Sequence, residues 1–197
     1  MSTKNLFQEF PLLQTERLRL RQVTERDAPS ILELFSDQEV IRYVPLSRFT
    51  TTEHALQEIA WYTTIFQEHT GLRWGIEIKD TGKLIGTCGF LDYKPDHRRA
   101  ELGYDLSRSY WGHGIMPEAA QAVINFGFGV MELNKIAASI VPENTASGKV
   151  LSKLGFRQEG LLRQHEFEHG NFVDLAVYAI LRKEYEVHER ERSSRHA

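Results

Sequence analysis

The sequence predicts an α+β fold with helices on both faces of one sheet. Three observations predict it. Two helix-like segments precede a run of strands over residues 72–107; a helix, a short apolar strand and another helix follow; and the chain returns through a hairpin. Local strand pairs interleaved with helices build a sheet that is covered on both sides.

The elements follow in order. "RLRLRQVT" (17–24) alternates in polarity and reads as a strand. Asp27 precedes Ala28 and Pro29, a helix start whose apolar side is Ile31, Leu32, Leu34 and Phe35. A second helix is expected from Thr52 to Glu68, with Ala55, Leu56, Ile59, Ala60 and Tyr62 facing inward. "LRWGIEIK" (72–79) and "LIGTCGFLDY" (84–93) are strands joined by the turn "DTGK", and "RRAELGYDLS" (98–107) is the next strand. A helix from Pro117 to Val130 puts Ala120, Val123, Ile124 and Gly127 on one face. "NKIAASIV" (134–141) is a short buried strand. The helix over 143–154 stops at Gly155, the left-handed position that glycine fills past a helix end. Two last strands form a hairpin around Gly170 and Asn171. The segment past Arg182 mixes both charges and is expected to fray into a charged tail, 184–197.

Composition narrows the function. The 197 residues suit a single domain, and 41% hydrophobic with 26% charged residues is ordinary for a soluble globular chain. A net charge of -3 and a pI near 6.2 leave no concentrated positive surface, so no direct nucleic-acid partner is expected. The single cysteine, Cys88, excludes an internal disulfide and argues against a thiolate zinc site, so the expected compartment is a reducing cytoplasm. The N-terminus lacks the apolar run of a secretory signal. No 18-residue apolar window is present either, so no membrane span is expected.

The stretch "YWGHGIMPEA" (110–119) carries chemistry. Glycines let the backbone approach a bulky anion. Free amides at a helix start converge on one spot, and the helix dipole adds positive potential there. With Pro117 as the first helical residue, its missing amide costs nothing. The turn suits a phosphate or pyrophosphate held by residues 112–116; read alone, it is equally a tight connection. No Gly-Lys-Ser/Thr follows. The turn also comes after several antiparallel strands, so neither a P-loop nor a dinucleotide fold fits.

With "TERLRLRQVTERDA", "GYDLSRSYWGHGIMPEA" and "NTASGKVLSKLGF" in this order, the chain resembles the GNAT superfamily of acetyl-CoA-dependent N-acetyltransferases. Within it, the chain is most similar to the RimJ/RimL-type branch, which acetylates N-terminal alanine or serine amines of ribosomal proteins. The resemblance runs from about Leu13 to Lys183. It implies a central mixed, mostly antiparallel sheet, acetyl-CoA as co-substrate, no metal, and direct attack by an amine in a ternary complex. The family's Arg/Gln-x-x-Gly-x-Gly/Ala loop falls on Trp111 to Met116; Gly114 matches, whereas Trp111 and Met116 depart from it. The implied cofactor contacts are Leu106, Ser107, Trp111, Gly112, His113, Gly114, Ile115, Met116, Asn144 and Ser147. Asn144 is the implied pantetheine partner, and it also makes a good helix N-cap.

The same resemblance assigns chemical roles. Glu101 is the candidate base or water-positioner, with a salt bridge to Arg98 or Arg99 as its alternative. Many members carry a tyrosine acid seven residues after the asparagine; here that position is Leu151. Ser147, three residues after Asn144, is the candidate proton donor to the leaving thiolate, or else a solvent-facing helix serine. The Leu106 N–H is the implied oxyanion donor. Arg42, Tyr43 and Glu101 are the implied acceptor contacts, with Arg48 nearby. A protein α-amine has a pKa of about 7.7–8.0, against about 10.4 for lysine, so an N-terminal acceptor needs only a modest base. A polyamine, an amino acid or an antibiotic amine is the alternative acceptor, and a catalytically silent acyl-CoA sensor the alternative to an enzyme. An exposed strand edge would allow a homodimer. His165 and His169 lie four apart, on one face of a strand with Glu166 and Glu168 on the other, and read as a solvated hairpin or a lining of the acceptor groove.

Overall fold

A computed structural model describes residues 6–187 of the chain. Eight strands form one sheet: β1 (Leu13–Gln14), β2 (Leu18–Gln22), β3 (Leu72–Ile78), β4 (Leu84–Lys94), β5 (Arg99–Leu106), β6 (Lys135–Ile140), β7 (Arg157–Glu168) and β8 (Asn171–Leu181). Their spatial order is β1-β2-β3-β4-β5-β6-β8-β7, and every neighbouring pair is antiparallel except β5 with β6. Among the described residues the helices that accompany it before the final hairpin are α1 (Ala28–Ser36), α2 (Gln38–Ile41), α3 (Thr52–Gln67), α4 (Ile115–Gly129) and α5 (Thr145–Lys153).

Both faces of the sheet are covered. Leu72, Trp74 and Ile76 of β3 join Val123, Ile124 and Phe126 of α4 in one buried cluster, where the Trp74 and Phe126 rings meet edge-on at 5.4 Å. The Trp74 indole N–H donates to the Pro11 carbonyl at 2.7 Å, which satisfies the polar end of a fully buried ring. A second cluster gathers Val23, Ile31, Phe35, Ala55, Ile59 and Leu84 beneath α1 and α3.

Several local expectations are corrected. Asp27 does not cap α1 through its side chain; it closes a 3-10 turn, Glu25–Asp27, and its carboxylate is clasped by Arg21 at 2.7 and 2.8 Å and by the Thr24 amide. β1 and α2 were not anticipated, because two and four residues are too few to show a period. Ala60 is exposed rather than inward-facing. α4 begins at Ile115, two residues before Pro117, because left-handed Gly114 takes the N-cap position. Pro117 is thus third in the helix, still within the first turn, whose amides lack intrahelical acceptors. The hairpin turns on His169 and Gly170, both with positive φ, one residue earlier than expected. Residues 182–187 are helical, and Tyr185 stacks on Phe128 at 4.7 Å, so this part of the expected tail is anchored; residues 188–197 lie outside those described.

The end of α5 follows the sequence. Gly155 has φ 88°, its amide donates to Ser152, and the Phe156 amide reaches back to Leu151. These are the two bonds of a Schellman motif.

One irregularity positions the site. β5 and β6 pair only over Arg99–Glu101 and Lys135–Ala137, and then part. β6 runs on against β8 as far as Ile140, while β5 continues beside β4 to Leu106. A notch therefore opens in the middle of the sheet.

Candidate functional site

Two cavities meet at this notch. One, of about 470 Å³, reaches the glycine turn and the start of α5. The other, of about 330 Å³, lies among β5, β6 and the end of β7. Their linings share Tyr43, Val44, Tyr104, Asp105, Asn144 and Ser147, so the cavities communicate through the notch.

The larger cavity ends on backbone donors. Gly112 and Gly114 adopt φ 77° and 73°, a conformation that L side chains rarely take. Among the described residues, the amides of 112–116 meet no protein acceptor; the next donor, Glu118 N–H, already closes onto the Gly114 carbonyl at 3.2 Å. A Cβ at Gly112 would meet nothing within 4 Å, so the approach to these amides is open. Gly112, Gly114, Ile115 and Met116 line the cavity, whereas His113 and Ser107 do not. His113 instead presents its carbonyl to the Arg17 guanidinium at 3.0 Å. Arg17 also grips Glu118 at 2.6 Å, and Thr15 hydrogen-bonds the same carboxylate, so β2 and its approach brace the turn. Burial pushes the Glu118 carboxyl up, but the Thr15 hydroxyl and the Arg17 amide and guanidinium outweigh it and hold it below its usual value. Trp111 is half exposed, and its indole N–H donates to the Leu106 carbonyl at 2.7 Å, tying the turn to the end of β5.

Asn144 performs its capping role: its Oδ1 accepts the Ser147 amide at 3.1 Å. Among the described residues its amide nitrogen makes no hydrogen bond, and Asn144 borders both cavities. Ser147 is buried rather than solvent-facing, and its Oγ lies 2.7 Å from the Tyr104 hydroxyl. Burial raises the Tyr104 phenol well above its usual value, with Ser147 partly opposing, so the phenol stays protonated. Leu151 is fully buried in the core and offers no proton. The Ser107 amide donates to Ile85 at 2.8 Å, toward β4. Successive strand amides alternate in direction, so the Leu106 N–H points the opposite way, toward the notch.

The smaller cavity is lined by carboxylates. Glu101 borders it and forms no ion pair among the described residues; Arg99 pairs instead with Asp92 at 3.2 Å. Glu166 and Glu168 of β7 line it too. Arg73 and Asp105 form a buried ion pair in its wall, supported by Thr87, which accepts from Arg73 Nε at 3.1 Å. Gly103 leaves the room: a Cβ there would come within 2.7 Å of the Arg73 guanidinium. Tyr43 borders both cavities. Arg42 borders only the larger one and lies over the Tyr43 ring at 5.3 Å. Arg48 is turned away, bound to the Ser36 carbonyl at 2.8 Å. His165 and His169 do not share a strand face. A register shift between Leu162 and Glu166 intervenes, and His169 leaves β7 to bond the Val44 carbonyl at 3.0 Å. Among the described residues no group of three or more His, Cys, Asp or Glu is arranged for a metal, and no helix is long and apolar enough to cross a membrane.

Four features were not found from the sequence: Tyr104, the Arg17–Glu118 brace, the Arg73–Asp105 pair, and the carboxylates of β7. Tyr104 left a signal, a lone hydroxyl between Leu102 and Leu106 on an otherwise apolar strand face. The others depend on contacts between residues 32 to 101 apart in sequence, or on the register shift in β7.

A parted strand pair lies between a cavity that ends on a helix-start amide cluster and a second cavity lined by side chains, an arrangement with room for two ligands. The profile of the acetyltransferase (GNAT) domain matches residues 17–157, and the chain belongs to this family. It is 42% identical over 173 residues to the N-acetyltransferase YoaA of Bacillus subtilis (strain 168), covering 88% of this chain and 98% of that one. It is 24% identical over 174 residues to the [ribosomal protein uS5]-alanine N-acetyltransferase of Escherichia coli (strain K12), covering 85% and 89%. A GNAT-family acetyltransferase structure from Bacillus anthracis superposes with a TM-score of 0.79 at 28% identity, covering 88% of this chain and all of that one. The fold is the GNAT fold and the protein is an N-acetyltransferase; enzymes of this family use acetyl-CoA.

Proposed function

We propose that the protein transfers an acetyl group from acetyl-CoA to the N-terminal α-amine of a protein, with ribosomal proteins as the target class. The observation that carries this reading is the pair of cavities joined through Tyr104, Asn144 and Ser147. The relative from Escherichia coli, named for ribosomal-protein alanine acetylation, supports the acceptor.

Acetyl-CoA supplies an activated thioester. The amides of 112–116 bind its pyrophosphate, and the Asn144 amide nitrogen takes a pantetheine carbonyl. The Leu106 N–H receives the charge that develops on the thioester oxygen. Glu101 takes the proton from the attacking amine directly or through water. As the new C–N bond forms and the C–S bond breaks, the Ser147 hydroxyl passes its proton to the departing thiolate while Tyr104 passes its own to Ser147, and the proton that Glu101 took from the amine returns to Tyr104 through water. About a tenth of an α-amine is already neutral at pH 7, so a carboxylate is a sufficient base.

A small polyamine is the second reading, favoured by the acids that β7 brings to the cavity. Thiol release from acetyl-CoA, measured with alanine- and serine-initiated peptides and with small amines, tests both. Release with the peptides is expected. Release with small amines alone defeats the protein-acceptor reading, and tight coenzyme binding without release for any acceptor makes the protein a sensor.

A further inference from the structure

We propose that Glu168, with Glu166 and Glu101, forms a subsite for a second positive charge on the acceptor. The preferred acceptor is then a primary amine that carries another cationic group. This rests on the acetyl-transfer reading above and specifies its substrate class.

Glu168 is the anchor. It is 8% exposed and borders the smaller cavity, and its carboxylate makes no hydrogen bond or ion pair among the described residues. Burial, and next the Glu166 carboxylate, push its carboxyl up; His169 only partly offsets them. That histidine is engaged elsewhere, because a carbonyl only accepts and Nε2 therefore donates to Val44. The same bond pins the hairpin against residues 43–45, closing Glu168 in. Glu166 lies two residues back on β7, and Glu101 reaches the cavity from β5. Asp105 is the other carboxylate in the lining, and Arg73 already neutralises it. Three acids therefore line the cavity without a counter-charge among the described residues.

The reacting amine does not supply that charge. It must lose its proton before it attacks, and the charge that develops on its nitrogen as the C–N bond forms is removed with the next proton, so it offers the acids no lasting charge. A second ammonium or guanidinium on the acceptor keeps its charge throughout and compensates the acids in the transition state as well as on binding. Either an alkyl diamine or a basic side chain one or two residues from a peptide N-terminus presents this chemistry.

Calorimetry on the coenzyme A complex of the wild type and of Glu168→Gln tests the subsite with two matched pairs. One pair is Ala-Lys-Thr-amide against Ala-Leu-Thr-amide; the other is 1,5-diaminopentane against pentylamine. The doubly charged member of at least one pair should bind about tenfold more tightly than its partner, and Glu168→Gln should remove most of that advantage. The pair that responds identifies the source of the charge. The substitution should also leave the melting temperature unchanged or raise it, whereas a carboxylate with a structural role would lower it. Equal affinities within both pairs, or an advantage that survives Glu168→Gln, overturn the proposal. Thiol release is read separately: charge-selective binding without acetylation would sink the transferase reading while leaving the subsite standing.

Discussion

The two sides of the notch present different groups to a ligand. On the glycine-turn side the donors are main-chain amides fixed by left-handed Gly112 and Gly114. On the other side the cavity is lined by side chains from β5 and β7, strands far apart in the chain. Backbone recognition tolerates substitution, which is why Trp111 and Met116 depart from the family loop while the amides stay open.

The sharpest break in this contrast is Gly114→Val. A β-branched residue resists φ near 73° by about 1–2 kcal/mol, and pulling the turn out of place removes charge-assisted bonds of about 1.5–3 kcal/mol each. Coenzyme affinity, measured by calorimetry, should fall about 100-fold or more. Affinity for an acceptor amine should hardly move.

The junction between the sides is tested by Ser147→Ala and Tyr104→Phe. A thiol is already fairly acidic, near pKa 8.5, so its departure needs limited help. Each substitution should lower kcat about tenfold, with little change in KM for acetyl-CoA, and the double variant should be no worse than either single. Unchanged kcat in both would assign the proton to water.

A similar energy, spent on stability rather than turnover, sits far from the notch. Burial raises the Asp27 carboxyl, but the Arg21 guanidinium and Thr24 outweigh it and hold it below its usual value. The unfolded chain therefore binds this proton more readily. The stabilisation is complete above about pH 4 and is lost as pH falls through the folded value. Arg21 also bonds Glu77 at 2.6 Å, a carboxylate that Arg19 holds as well at 2.7 Å, so Arg21→Ala leaves Asp27 as the carboxylate without a guanidinium partner. It should cost about 2 kcal/mol in denaturant unfolding, below the range for a fully buried pair because Arg21 keeps some solvent. The acid limb of the stability curve should shift with it. The smallest effect belongs to Trp111→Arg, which restores the family's residue on the backbone-reading side. Coenzyme affinity should change by less than about threefold, since only one neutral hydrogen bond is lost.

The same contrast explains what the sequence revealed. The glycine turn, the Asn144 cap and the Gly155 stop are local, encoded within a few consecutive residues, and were legible. The order of strands from 72 to 107 was legible too, through alternation and its turn. The acceptor side was legible only in part, through Glu101 and Tyr43. Glu166 and Glu168 reach the cavity only because β7 shifts register and Gln164 adopts a positive φ, and neither event has a local signature. Arg73 and Asp105 are 32 residues apart, and both look like solvent-facing strand positions until α3 covers that face of the sheet. The start of α4 was misplaced because Pro117 signals a first turn without marking which residue begins it.

The most direct test is a crystal structure of the protein with coenzyme A. The pyrophosphate oxygens should lie about 2.7–3.2 Å from amides of residues 112–116. The sulfur should reach the notch beside Tyr104 and Ser147. A pyrophosphate bound elsewhere on the chain, or a sulfur that points away from the notch, would contradict the account.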